Sequence, residues 1–232
     1  MKPIIGVVSR SKKDEEQRSI FYSNNQIIRS IIKFGGIPII IPSTQNIDLE
    51  ETIPKNIKRL TEDNKQDLNQ ILNMCNGIVV PGGIKWYEYD LYICKYVVDN
   101  DIPILGICAG MQALARVLNN NKELDITVKN NTNINHNVSG VQYVHSVKVL
   151  KDSLLYKILN KEKINVNSRH NYHIPDELDY LKTAYSNDGI IEAIEYKDNK
   201  FTLGVQWHPE SMIDYDMDAR KILQAFIDKC KN

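Results

Sequence analysis

Apolar residues follow two rhythms along the first half of the chain. Short continuous runs at residues 3–8, 37–41, 78–80 and 102–107 are strand-sized. Between them apolar side chains return every three or four positions. Ile27, Ile28, Ile31 and Ile32 share one helical face within 22–34, a stretch stopped by Gly35-Gly36, and Leu68, Ile71 and Leu72 do the same within 65–74, before Gly77. Further helices are predicted at 86–100 and 109–118. Strands that read apolar on both faces must be covered on both, so the alternation predicts a parallel sheet between two layers of helices. A site in such a sheet belongs at the carboxyl ends of its strands.

The second half reads differently. Residues 119–137 are rich in asparagine and lysine without an apolar period, which predicts a loop or short hairpin. Residues 141–149 alternate apolar and polar like a half-exposed strand, 189–196 and 201–206 form a hairpin joined by 197–200, and 218–229 is an amphipathic helix. The expectation is an α/β fold of three layers, α/β/α, around a central mostly parallel sheet, with antiparallel strands in the C-terminal half and one domain across 1–232.

Composition narrows the function class. Of 232 residues 42% are apolar and 25% charged, and 29 basic side chains balance 29 acidic ones. A neutral chain has no general field for nucleic acid or an anionic membrane, so neither is expected as a partner. No apolar run reaches the ~20 residues of a membrane helix, and the apolar start at 3–8 is short for a signal peptide; a cytoplasmic protein is expected. The four cysteines, Cys75, Cys94, Cys108 and Cys230, form no C-x-x-C pair. No metal and no organic cofactor are expected.

The sharpest chemical signal is Gly106-Ile107-Cys108-Ala109-Gly110, placed where a buried strand turns into a helix. It is a nucleophile elbow of the G-x-S-x-G type with cysteine in the serine place, and its glycines let the turn close without side-chain collision. A cysteine at a helix N-terminus sits among unpaired backbone N–H groups and the positive end of the helix dipole, which favours thiolate. Cys75, Cys94 and Cys230 lack that framing and are read as small buried hydrophobes.

Such a thiol needs a base, and the base an orienting group. His208 follows the strand predicted at 201–206 and precedes Pro209-Glu210, so Glu210 can hold the imidazole tautomer. An oxyanion hole would draw on the backbone N–H of Ala109 and on the Pro81-Gly82-Gly83 turn, with Gly83 as donor. His173, three residues from His170, lacks a third ligand and has Pro175 near it, so a loop is the better reading than a metal pair. His136 and His145 read as ordinary surface or strand residues.

The motifs Val80-Pro81-Gly82-Gly83, Gly106-Ile107-Cys108-Ala109-Gly110-Met111-Gln112 and Gly204-Val205-Gln206-Trp207-His208-Pro209-Glu210, in this order, resemble the class I glutamine amidotransferase superfamily. Pro3-Ile4-Ile5-Gly6-Val7, Gly35-Gly36-Ile37-Pro38, Val166-Asn167-Ser168-Arg169-His170 and Asp188-Gly189-Ile190-Ile191-Glu192-Ala193 are similar to its γ-glutamyl hydrolase branch. The resemblance implies the flavodoxin-like fold of that superfamily and hydrolysis of a γ-glutamyl amine or peptide, of the γ-glutamyl-γ-aminobutyrate kind, through a glutamyl thioester. It implies Cys108, His208 and Glu210 as catalytic residues and Gly82, Gln112 and His170 as substrate contacts. Two positions depart from the branch: Ala109 stands where arginine is common, and the loop 84–90 is short. Both should border the substrate, so the leaving amine stays open. The expected partner is a small γ-glutamyl substrate, and a homodimer is compatible with the sequence. Two alternatives remain: a glutaminase subunit feeding ammonia to a separate synthetase, and an inactive binding or regulatory module of the same fold.

Overall fold

The computed structural model describes residues 1–45, 59–84, 86–119, 127–176 and 181–231. In chain order the first half gives β1 (Ile4–Val8), a charged hairpin of β2 (Arg10–Lys13) and β3 (Ser19–Tyr22), α1 (Asn25–Lys33), β4 (Ile37–Ile41), α2 (Glu62–Leu72), β5 (Gly77–Val80), α3 (Glu88–Asp99), β6 (Ile104–Ile107) and α4 (Ala109–Leu118). The second half gives β7 (Val128–Lys129), β8 (Asn137–Val138), β9 (His145–Val149), α5 (Leu154–Leu159), β10 (Lys163–Val166), β11 (Ser168–Arg169), β12 (Tyr172–His173), β13 (Leu181–Ser186), β14 (Ile191–Glu195), β15 (Thr202–Val205), a 3-10 turn at Pro209–Ser211 and α6 (Met217–Lys229).

Nine strands hydrogen-bond into one sheet in the order β10-β9-β13-β14-β15-β6-β5-β1-β4. The run from β4 to β15 is parallel, and β14, β13, β9 and β10 extend it antiparallel. Strand alternation divides the core in two. Ile5, Val7, Val79, Leu105 and Ile107 point into a cluster completed by Ile27 and Ile31 of α1 and Phe226 and Ile227 of α6. Ile78, Val80 and Ile104 point the other way, to Leu68 and Leu72 of α2, Ile93 and Val97 of α3 and Met111 and Leu114 of α4. The three-layer α/β/α arrangement expected from the sequence is present, with its antiparallel extension in the C-terminal half.

The strand at 37–41 and the helix at 109–118 fall where the pattern places them. The helix expected from 65 begins at Glu62 instead, because Thr61 and Asn64 form a reciprocal capping box, with Asn64 N–H donating to Thr61 Oγ1 at 3.2 Å and Thr61 N–H to Asn64 Oδ1 at 3.2 Å. The strand expected over 141–149 is ordered as a ladder only from His145, since Gly140 takes a left-handed φ of +78° and Val141 and Tyr143 face solvent. Part of the segment at 119–137 lies outside the described residues, as does Lys85 in the short loop at 84–90. The described remainder supplies β7 and β8, which pair with β12 and β11 as two small ribbons. Charged strands such as Arg10–Lys13 carry little apolar period, which hides them from the sequence pattern.

The approach of α4 to the sheet fixes the geometry of the carboxyl edge. A Cβ on Gly110 would lie 1.9 Å from the Val80 carbonyl oxygen, and one on Gly106 would lie 2.8 Å from the Gly110 carbonyl. Both obstacles are backbone and cannot rotate aside. We expect Gly110→Ala to destabilise the fold by about 3 kcal/mol or to prevent folding, since overpacking against backbone has no cheap relaxation; denaturant unfolding measures this, and a change within experimental scatter would show that α4 can slide off β5.

Candidate active site

Three loops meet at the carboxyl ends of β5, β6 and β15. Cys108 follows β6 and caps α4, with φ +52° and ψ −110°, a conformation that side chains rarely adopt. Two backbone bonds hold it there: Cys108 N–H donates to the Val205 carbonyl at 2.8 Å, and the Cys108 carbonyl accepts from Gln112 N–H at 3.1 Å. Local strain of this kind, of order 1–3 kcal/mol, persists only where surrounding packing enforces it. Here the enforcement is the close contact of Gly106, Gly110 and Val80.

His208 stands over the same spot from β15. Its Nδ1 is 2.8 Å from Glu210 Oε1, and its ring lies beside Cys108, both against Gly82. Asn167 fixes its backbone from both directions, accepting from His208 N–H at 2.9 Å and donating Nδ2–H to the His208 carbonyl at 2.9 Å. Burial works against a charged ring, yet the Glu210 charge, the neighbouring Cys108 sulfur and the hydrogen bond to Glu210 outweigh it and raise His208 to about 10. The ring therefore carries two protons at neutral pH. It is poised to donate one, where the sequence suggested only a base. Glu210 is 2% exposed, with Oε1 on the imidazole.

The loop after β5 closes the third side. A Cβ on Gly82 would sit 2.7 Å from His208 Cε1 and 3.3 Å from Cys108 Cβ, so this glycine touches both residues and has no room for a side chain. Gly83 is exposed beyond it, and Ala109 is buried in the first turn of α4, where helix N–H groups lack intrahelical acceptors. Gln112, expected to contact substrate, is buried; its Nε2–H bonds the Tyr172 carbonyl at 3.1 Å and Gln206 Oε1 at 3.3 Å, joining α4 to β12. His170 is buried as well, and its ring faces Tyr172 and Glu192. His173 lies in the short β12, its Nδ1 2.9 Å from Asn130 Oδ1. His136 and His145, read from sequence as ordinary surface or strand residues, are both buried.

Sequence reasoning missed the support beneath the loop. Arg10, the first residue of β2 just beyond β1, is 4% exposed and pairs with fully buried Asp90 at 2.7 Å. Its Nε–H donates to the Gly82 carbonyl at 3.1 Å and its NH2 group to the Pro81 carbonyl. Asp90 in turn accepts from Tyr87 N–H at 2.7 Å. Burial disfavours the guanidinium charge, but Asp90 more than offsets this and holds the Arg10 pKa above the ordinary value. The available signal was an arginine two residues past a fully apolar strand, where the strand ends point at the site. Cys75, Cys94 and Cys230 are buried as expected, and burial raises all three thiols, Cys75 to about 11 and Cys230 to about 12.

Comparison with known proteins bears on this geometry. A family model described as Peptidase C26 matches residues 3–210. The chain belongs to the Peptidase C26 family. This C26 chain is 31% identical over 225 residues to a Schizosaccharomyces pombe protein named as a glutamine amidotransferase, covering 92% of the chain and 85% of that protein. It is 27% identical to a glutamine amidotransferase-like protein of Rickettsia prowazekii, covering 94% and 95%. A CTP synthase of Sulfolobus acidocaldarius is 31% identical over 176 residues, which span 64% of this chain and 33% of that enzyme. Among solved structures, the glutaminase domain of Trypanosoma brucei CTP synthase superposes with a TM-score of 0.68 at 19% identity, over 99% and 94% of the two chains. The C26 family is one of cysteine-dependent amidohydrolases, within the glutamine amidotransferase-like group that the sequence motifs indicated.

Two outcomes follow from the site. Glu210→Gln removes the charge that stabilises the second proton on His208, so the His208 pKa should fall from about 10 toward its ordinary 6.5; NMR titration of the imidazole reads this directly, and an unmoved pKa would assign the proton's stability to Cys108 alone. Asp90→Ala leaves the Arg10 guanidinium buried and unpaired, which typically costs about 3–5 kcal/mol. Thermal and chemical unfolding measure that loss, and a neutral result would mean that the Pro81 and Gly82 carbonyls suffice to hold Arg10.

Proposed function

We propose that this protein is a hydrolase of γ-glutamyl amides, with Cys108 as nucleophile, His208 as proton carrier and Glu210 as the group that orients and charges His208. The observation that carries the reading is the forced elbow conformation of Cys108, with the His208 ring beside it across Gly82 and Glu210 Oε1 2.8 Å from that ring's Nδ1. With the sulfur's proton residing on His208, Cys108 Sγ attacks the γ-carbonyl carbon, and the carbonyl π pair moves to oxygen, where the N–H groups of Ala109 and the Gly82-Gly83 turn stabilise it. The tetrahedral intermediate collapses as His208 gives its proton to the amine nitrogen, the C–N bond breaks, and the amine leaves. A glutamyl thioester remains. Water then adds to it, His208 takes the water's proton, and C–S cleavage releases glutamate and restores Cys108.

The residues 1–232 act in this reading as one catalytic unit with a small γ-glutamyl amine or peptide as substrate. Gly82 bears on substrate directly through its place between Cys108 and His208. Gln112 and His170 act from behind, through the α4–β12 connection and the buried histidine group. A second reading is favoured by the 31% identity to a CTP synthase: a glutaminase that passes ammonia from glutamine to a separate synthetase chain. The same three residues serve both, and the difference lies in whether turnover needs a partner.

Glutamate release by the purified protein separates them, measured with glutamine, γ-glutamyl-γ-aminobutyrate, other γ-glutamyl amines and γ-glutamyl peptides. We expect turnover of a γ-glutamyl amine or peptide in preference to glutamine, abolished by Cys108→Ala and reduced by about 10²-fold or more in His208→Ala. Turnover of glutamine alone would favour the glutaminase reading. Activity retained by Cys108→Ala would overturn the assignment of the nucleophile.

A further inference from the structure

A second cluster of chemistry-bearing side chains lies on the antiparallel half of the sheet. His145 opens β9, Glu192 lies in β14, His136 precedes β8 and His170 follows β11. Their side chains are 0% (His136, Glu192), 3% (His145) and 2% (His170) exposed. One carboxylate oxygen, Glu192 Oε1, is 3.5 Å from His136 Nδ1, 3.5 Å from His145 Nε2 and 3.6 Å from His170 Nε2. These separations are too long for hydrogen bonds. Both Glu192 oxygens, His145 Nε2 and His170 Nε2 are buried without a hydrogen-bond partner. Groups of that kind carry a large desolvation cost unless something satisfies them.

The far side of each ring is engaged. His136 Nε2 is 2.9 Å from Asp188 Oδ2, His170 Nδ1 is 3.0 Å from the Tyr172 carbonyl, and His145 Nδ1 is 3.3 Å from the Ser146 carbonyl. Acceptors there keep the ring proton on the outer nitrogen and turn the inner lone pair to the centre. The Ser168 hydroxyl, 3.4 Å from His136 Nδ1, donates instead to the His136 carbonyl at 2.7 Å. Metal-bound histidines are held in this way, with the second ring N–H on a carboxylate or carbonyl. A tetrahedral ion with bonds of about 2.0–2.1 Å would set its ligand atoms about 3.4 Å apart, close to the spacings observed around Glu192. A cluster of imidazolium–carboxylate pairs would instead draw each N–H to about 2.7–2.9 Å.

We propose that His136, His145, His170 and Glu192 form a buried binding site for a divalent transition-metal ion of the zinc class. Four protein ligands fill a tetrahedral shell and leave no position for substrate or water, so the ion is structural. It ties β9 and β14 of the main sheet to the residues flanking β8 and β11. The sequence expectation of no metal arises because the ligands stand 9, 25 and 22 residues apart, a spacing that no short motif captures.

The test uses the full chain, stripped with a chelator and titrated with Zn²⁺ and separately with Co²⁺. One equivalent should bind, the cobalt form should show the intense visible absorption of tetrahedral coordination, and the melting temperature should rise with metal concentration. Cys108→Ala should keep that equivalent, which excludes binding through the active-site thiol. Glu192→Gln and His145→Asn should lose it, and Asp188→Asn should weaken it about 10- to 100-fold. Folded wild-type protein that takes up neither ion, or a Glu192→Gln variant that binds as the wild type does, overturns the proposal. If the ligand variants fail to fold, the wild-type cobalt spectrum decides, because octahedral or absent bands are equally decisive against the site.

Discussion

The contact between the first turn of α4 and the Val80 carbonyl is the constraint on which the site depends. It permits no side chain at residue 110 and little at 106, and it forces Cys108 into a positive-φ conformation that the residue would not choose alone. Cys108 is thereby set at the carboxyl end of β6, at the edge of the core. Everything else in the site is arranged against that fixed point: β15 runs parallel to β6 in a register that pairs Val205 with Ile107, so the residues following both strands emerge side by side. His208 reaches Cys108 because two adjacent strands end together, with Asn167 holding the backbone in place.

Charge inside the site is handled by pairing. The carboxylate of Glu210 lies buried against His208, and Asp90 against Arg10, and in both cases the partner's pKa moves up despite burial. The two pairs do different things. Glu210 acts on a ring that can titrate, so its effect is on where a proton sits. Asp90 acts on a guanidinium that never titrates at working pH, so its effect is mechanical: it aims the Arg10 donors at the Pro81 and Gly82 carbonyls and orients the peptide units whose N–H groups face the other way. A buried pair of this kind adds little net stability against an apolar substitute, and its value lies in the geometry it selects.

The alternation of apolar runs and helical periods made the parallel core legible, because strands buried on both faces leave an unbroken apolar signature. The sharp strand-to-helix turn at Cys108 was legible for a related reason: it is a local device, and its glycines are required within five residues of sequence. The Arg10–Asp90 clamp was not, since its two members are 80 residues apart and each reads as an ordinary surface charge. The buried histidines escaped for the same cause. His136 follows an asparagine-rich stretch with no apolar period, and its burial follows from the β8–β11 ribbon, a tertiary event without a local pattern. Short ladders such as β7–β12 and β8–β11 are two residues long, below the length at which alternation can be recognised.

The two halves of the sheet differ in what holds them. The parallel half is packed between helices, and its largely apolar inner strands are sufficient to define their own positions. The antiparallel half carries polar side chains into its interior, among them Glu192 in a strand whose five residues are all buried. A carboxylate in such a strand opposes the hydrophobic drive that places the strand. It persists because the residues around it, His136, His145 and His170, arrive from three separate segments with nitrogen atoms directed at it. The sheet edge that carries Cys108 and the histidine cluster are linked through Tyr172, whose carbonyl lies 3.1 Å from Gln112 Nε2 on α4 and 3.0 Å from His170 Nδ1. Order in the antiparallel half therefore reaches the helix that carries Cys108, by a path of two hydrogen bonds.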